Sequence, residues 1–152
     1  MDVTYINPFI EAAVGVLKSV CNVEVKLGKL TIKKIKFNRS TRVILIGITG
    51  NVKGQVFIAF NSDIATKVVG NMMGMEVQTL DEMGESALAE LGNMIMGNTA
   101  TILYNRDIKI DITPPTLVTG DMEFEIKEMK NICIPLSVNG GEIEMHVALK
   151  QL

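Results

Sequence analysis

A chain of 152 residues, 47% of them hydrophobic and 21% charged, has the size and apolar content of one globular domain, and residues 1–152 are read as a single domain with a full core. A formal net charge of −2 excludes a surface built as a whole for the nucleic-acid backbone. Cys21 and Cys133 lack the close spacing of a metal knuckle or redox pair, Met1-Asp2-Val3-Thr4-Tyr5 lacks the basic and apolar segments of a signal peptide, and no apolar stretch is long enough to span a bilayer. The expectation is a cytoplasmic protein with neither a membrane nor a nucleic acid as partner.

Asn7-Pro8 is read as the opening of a helix, because proline fits the first helical position, and Phe9, Ala12, Ala13, Val16, Leu17 and Val20 recur with helical spacing. Val43-Ile44-Leu45-Ile46 and Val56-Phe57-Ile58-Ala59-Phe60 read as buried strands around a turn at Gly50-Asn51. Asn61 or Ser62 caps a short helix over Ile64 to Met73, which Gly74 ends in a left-handed conformation. Thr79-Leu80-Asp81-Glu82 has the form of a capping box, and a helix from there to Leu103 would be about 37 Å long. Beyond it come Ile108 to Ile112, a Pro114-Pro115 stop, and alternating runs over Met122 to Ile126, Ile132 to Val138 and Ile143 to Leu149. Asn139-Gly140-Gly141 signals a hairpin between the last two, and Pro135 marks its strand as an edge or a bulge. The fold class is α+β: a largely antiparallel sheet packed with a long central helix and two further helices.

The long helix has two distinct sides. Ala87, Leu88, Leu91, Ile95 and Ile102 form its core-facing stripe, whereas Ser86, Glu90, Asn93 and Gly97 stack in one row pointing away. A carboxylate and a carboxamide one turn apart, with small residues on either side, can be presented to a closely approaching partner. Glu-x-x-Asn alone is a common spacing; Glu128 and Asn131 share it in a segment that reads as strand and turn.

The run Ser86-x-x-x-Glu90-x-x-Asn93, with Pro115 (and Pro114 beside it) at the end of the next strand, resembles the signature of the CheC/CheX family of chemotaxis phosphatases. Leu80-Asp81-Glu82, Glu90-Leu91-Gly92-Asn93-Met94, Asp111 to Thr116, Gly47-Ile48-Thr49-Gly50 and Val68-Val69 to Met72-Met73-Gly74 resemble further family segments in the right order. Some members carry a second Glu-x-x-Asn on the first helix. Here Val14 stands three residues after Glu11, so one site per chain is implied.

The resemblance implies a phosphatase acting on the aspartyl phosphate of a CheY-type response regulator. Glu90 and Asn93 would be catalytic, with Ser86, Gly97 and Pro115 framing the substrate. This chain would bind no cofactor or metal, the magnesium being supplied by the phosphorylated partner, and the protein would be a homodimer formed through its sheets, for which the apolar C-terminal strands offer an edge. The alternative is a non-catalytic docking module related to flagellar switch proteins.

Other features read as structural. His146, beside Glu144 and Ala148 in the alternation, is expected to face solvent rather than bind metal, and the two cysteines to be small core residues. Gly47, Gly50 and Gly54 serve turns, and Met72, Met73 and Met75 pack a helix end. Lys26, Lys29, Lys33, Lys34, Lys36, Arg39, Arg42 and Lys53 face only Glu24 locally, which suggests a solvated or partner-steering basic face.

Overall fold

The apolar periodicities resolve into three helices and nine strands in a computed structural model, which describes residues 3–139 and 141–151, the last by its backbone alone. Helix α1 (Val3–Cys21) carries Pro8 inside rather than at its start. The helix is under way before Asn7 because Ile6, Pro8 and Phe9 are all buried, and the missing proline N–H gives up a single ladder bond near the N-terminus. Asn22 ends α1 in a left-handed conformation (φ 52°), and the Asn71 amide donates to the Cys21 carbonyl at 2.8 Å. Strands β1 (Lys26–Leu27) and β2 (Ile35–Phe37) are short. The hairpin of β3 (Thr41–Gly50) and β4 (Val52–Asn61) turns at Gly50 and Asn51, as the sequence predicts.

Helix α2 (Ser62–Met73) is capped by Asn61, whose side chain accepts from the Ile64 N–H, and closed by left-handed Gly74. Helix α3 (Glu82–Tyr104) begins two residues later than a Thr79 cap would place it. Asp81 is the N-cap, accepting from the Gly84 N–H at 2.8 Å. Aspartate outranks threonine in this role, and Glu82 and Glu85 then meet the positive end of the dipole. The helix is 23 residues long, about 34 Å.

After α3 follow β5 (Ile110–Ile112), β6 (Thr116–Val118), β7 (Met122–Phe124), β8 (Lys130–Val138) and β9 (Gly141–Gln151). The main sheet runs β1-β8-β9-β4-β3-β5, with β6 also on β3, and every pairing is antiparallel. Val138 pairs with Gly141, which leaves Asn139 and Gly140 as the connection; Gly140 lies outside the described residues, as do Met1 and Asp2.

Helices α1 to α3 cover one face of this sheet, and β2 paired with β7 covers part of the other. That explains the unbroken apolar runs of β3 and β4: alternate residues such as Ile44, Ile46 and Ile58 meet the helices, while Val43, Phe57 and Ala59 meet Ile35 and Phe37.

Two expectations about the sheet are corrected. Strands β8 and β9 are not its edge: β9 lies between β8 and β4, and the outer side of β8 is met by residues 26–31. Pro135 interrupts nothing and marks no bulge, because the β8–β9 register is continuous. Cys133 exchanges both backbone bonds with Thr31 on the outer side, so the nitrogen of Pro135 also points outward, where only its carbonyl is used, by the Gly28 N–H at 2.8 Å.

His146, expected at the surface, is fully buried. It lies on the second face, which a strap over residues 31–37 covers. Phe37 packs edge-on against its ring with centroids 5.5 Å apart, its Nε2 lies 3.1 Å from Glu144 Oε1, and the Lys33 ammonium binds Glu144 Oε2. The basic run is likewise less one-sided than it reads locally. Lys33, Lys34, Arg39 and Arg42 meet Glu144, Glu123, Asp121 and Glu85, acids contributed from distant parts of the chain. Cys21 and Cys133 are buried, as expected, and burial pushes both thiols up to about 11.

Candidate active site

Helix α3 lies flush on β3 because Gly92 lets it. A Cβ at this position would stand 2.7 Å from Ile44 Cγ2, inside normal contact distance. Leu88, Leu91, Ile95, Met96, Thr99 and Leu103 are buried on the same side, together with Gly84, where a Cβ would meet Leu80 at 2.8 Å. At the N-terminal half Arg42 of β3 pairs with Glu85 at 3.2 Å, fixing the helix against the sheet. With that face committed inward, the helical period turns the opposite row outward.

Ser86 and Glu90 are exposed, and Asn93 and Gly97 are half-buried. Among the described residues, the Glu90 and Asn93 side chains make no hydrogen bond or ion pair, in contrast to Glu85 immediately before the row. A carboxylate and an amide at i and i+3 lie about 5–6 Å apart at their Cβ atoms, close enough to act on one small group. Gly97 has open space: a Cβ there would meet nothing within 4 Å.

Pro115 comes from another element. Between the Leu45–Thr116 and Ile48–Ile112 pairs, two residues of β3 face three of the outer strand, so Pro114-Pro115 sits in a bulge separating β5 from β6. Thr113 anchors the bulge, its N–H donating to the Gly47 carbonyl at 3.0 Å and its hydroxyl accepting from the Gly47 N–H at 2.8 Å. Helix α3 packs against both β5 and β6, but no hydrogen bond ties Pro115 to the Glu90 row. The row also extends beyond the residues that its polar members single out. Met83 and Tyr104 continue it in both directions, and each is 66% exposed. The same helical spacing, followed past the polar residues, reaches both.

The one mixed group of ligand-type side chains among the described residues is elsewhere. Cys133, Glu144 and His146 bring their ligand atoms within 4.8 Å of one another on the second face of the sheet. Both oxygens of Glu144 are engaged, by His146 and by Lys33, so the cluster works as an ion-paired staple for the strap.

The family model for chemotaxis phosphatase CheX matches residues 42–137. The CheY-P phosphatase CheX of Thermotoga maritima is 39% identical over 154 residues, covering 99% of this chain and 98% of that protein. A CheC-like superfamily protein from Shewanella sp. PV-4 superposes with a TM-score of 0.90 at 28% identity, covering 99% of each chain. The CheX of the CheX–CheY–BeF3–magnesium complex from Borrelia burgdorferi superposes with a TM-score of 0.81 at 29% identity, covering 97% of this chain and 98% of that one. The chain therefore belongs to the CheX family of chemotaxis phosphatases.

Proposed function

We propose that this protein hydrolyses the aspartyl phosphate of a CheY-type response regulator, with Asn93 positioning the attacking water and Glu90 aligning the partner. The observation that carries the reading is the pair itself: two polar side chains unengaged among the described residues, side by side on the outward face of a helix locked to the sheet. An acyl phosphate is already reactive, so hydrolysis needs mainly a water held in line with the phosphorus–oxygen bond to be broken. The Asn93 amide can accept from that water and donate to it. Water oxygen bonds to phosphorus, the aspartyl oxygen leaves with the bonding pair as carboxylate, and inorganic phosphate is released.

Glu90 is anionic and exposed, suited to pairing with a cationic side chain of the partner. Ser86 and Gly97 give the partner room on either side, and Pro115 holds the neighbouring strand edge. Magnesium belongs to the phosphorylated partner, where it neutralises charge on the transferring group. A single carboxylate in the row is a poor home for it, since this ion takes near-octahedral oxygen coordination. A relative captured with CheY and magnesium supports the choice of partner.

No helix among the described residues is long and apolar enough to cross a membrane, and the response regulator is taken as a cytoplasmic partner. We place the protein with it in the cytoplasm and read it as a homodimer. The exposed Leu27, Leu30 and Ile32 beside the β1 edge of the sheet support pairing there rather than at β8 or β9.

The test is the decay of a phosphorylated CheY-type protein, in magnesium, with catalytic amounts of this chain. Wild type accelerates decay. Asn93→Ala binds the regulator but loses the chemical step, whereas Glu90→Ala weakens binding as well. Unimpaired turnover by Asn93→Ala overturns the assignment, and unchanged decay despite binding by wild type identifies a docking module instead.

A further inference from the structure

We propose that Met83 and Tyr104 are apolar anchors that seat the response regulator across the Glu90–Asn93 pair. This rests on the function proposed above and extends it to residues that the family signature does not contain. At 100° per residue, Met83, Ser86, Glu90, Asn93, Gly97, Thr101 and Tyr104 fall within an arc of about 80°, one stripe along the whole of α3. Large apolar residues on the other side of the helix, including Leu88, Leu91, Ile95, Met96 and Leu103, are buried to within 1%. Met83 and Tyr104 are left 66% exposed, one at each end of the polar row.

Isolated exposed apolar residues are ordinary. These two are set apart by sharing a stripe with the catalytic pair and by what lies between them. Gly97 is a poor helix former that the fold does not require, because its Cβ direction is open for 4 Å. A partner's backbone can close on the helix there, with a pliable thioether at one end and a rigid aromatic ring at the other. Met and Tyr are both enriched at protein interfaces.

The dimensions fit one occupant. Met83 and Tyr104 are 21 positions apart, about 32 Å along the axis. A standard interface covers about 800 Å² on each partner, a patch roughly 32 Å across. A regulator that presents its phosphoryl group to Asn93 therefore overlies both ends of the stripe.

The experiment measures kcat and KM for dephosphorylation of the phosphorylated regulator by wild type, Met83→Ala, Tyr104→Ala and the double variant. Both positions are exposed and alanine is the best helix former, so the variants keep the fold. Each single change is expected to raise KM roughly fivefold at unchanged kcat, and the double change about 25-fold, because distant sites act independently. Met83→Leu and Tyr104→Phe, which keep the contact area, stay within about twofold of wild type. A double variant with KM within about twofold of wild type, or a loss confined to kcat, overturns the anchors. If wild type is active and Asn93→Ala inactive, that failure leaves the phosphatase reading standing; an inactive wild type overturns both.

Discussion

Replacing Gly92 and Gly97 by alanine, separately, should have different effects although both lie in the middle of α3: Gly97→Ala stabilises and Gly92→Ala does not. Each change gains about 1 kcal/mol of helix propensity. At Gly97 nothing opposes the gain, since the new methyl meets no atom within 4 Å. At Gly92 the methyl would stand 2.7 Å from Ile44 Cγ2 and 3.3 Å from Ile44 Cβ. Carbon atoms in ordinary contact are about 3.5–4.0 Å apart, so helix and strand must separate by roughly 1 Å. Overpacking of this kind costs about 1–3 kcal/mol, which offsets or exceeds the propensity gain. For a chain of this size 1 kcal/mol shifts Tm by about 2–4 °C, so Gly97→Ala should melt about 2–4 °C above wild type and Gly92→Ala roughly 2–12 °C below Gly97→Ala. Thermal and urea unfolding, with unchanged m-values as a control, measure the difference. A Gly92→Ala protein as stable as Gly97→Ala would refute the close seating of α3 on β3. In the phosphatase assay the same displacement of Glu90 and Asn93, about 1 Å, should lower kcat by up to about 100-fold.

Two further outcomes follow from groups outside the helix face. The hydrogen bond with His146, followed by that with Lys33, holds the Glu144 carboxyl at about 2, below its ordinary value of 4.5. A depressed carboxyl pKa stabilises the fold above its unfolded value, so a contribution on the order of 2 kcal/mol, after allowance for screening by solvent, should be present above pH 4.5 and disappear as pH falls towards 2. In urea unfolding at stepped pH, Glu144→Gln should lack this acid limb; an identical limb in the variant would remove Glu144 as its source. The Lys33 ammonium, raised first by the same Glu144 hydrogen bond, contributes in the other direction, its stabilisation being lost only at strongly alkaline pH. Asp81→Ala, which removes the acceptor of the Gly84 N–H, should cost about 1 kcal/mol; no change in Cm would reassign the cap.

The candidate row is legible in the amino-acid sequence because a helix converts spacing directly into a face. Ser86, Glu90, Asn93 and Gly97 need only the 3.6-residue period and a buried stripe opposite. The same rule locates the short α2 between Asn61 and Gly74, whose cap chemistry is local. Sequence expectations fail where local signals compete. Asn7-Pro8 has the form of a helix start, yet burial of Ile6 and Phe9 carries the helix through the proline, and Thr79-x-x-Glu82 loses the N-cap to Asp81 two residues on.

By itself, then, the sequence determined the α+β class, the two long hairpins and the polar face of α3, since each depends on periodicity or turn chemistry within a few residues. Only the tertiary structure decided the rest. Which strands are edges depends on pairing between distant segments, and β1 with the strap closes the side of β8 that looked open. His146 has the alternation of an exposed residue and is buried because β2 and β7, far from it in the chain, cover that side of the sheet. Alternation along a strand says which residues share a face, and only the packing of other elements on that face decides whether it meets water.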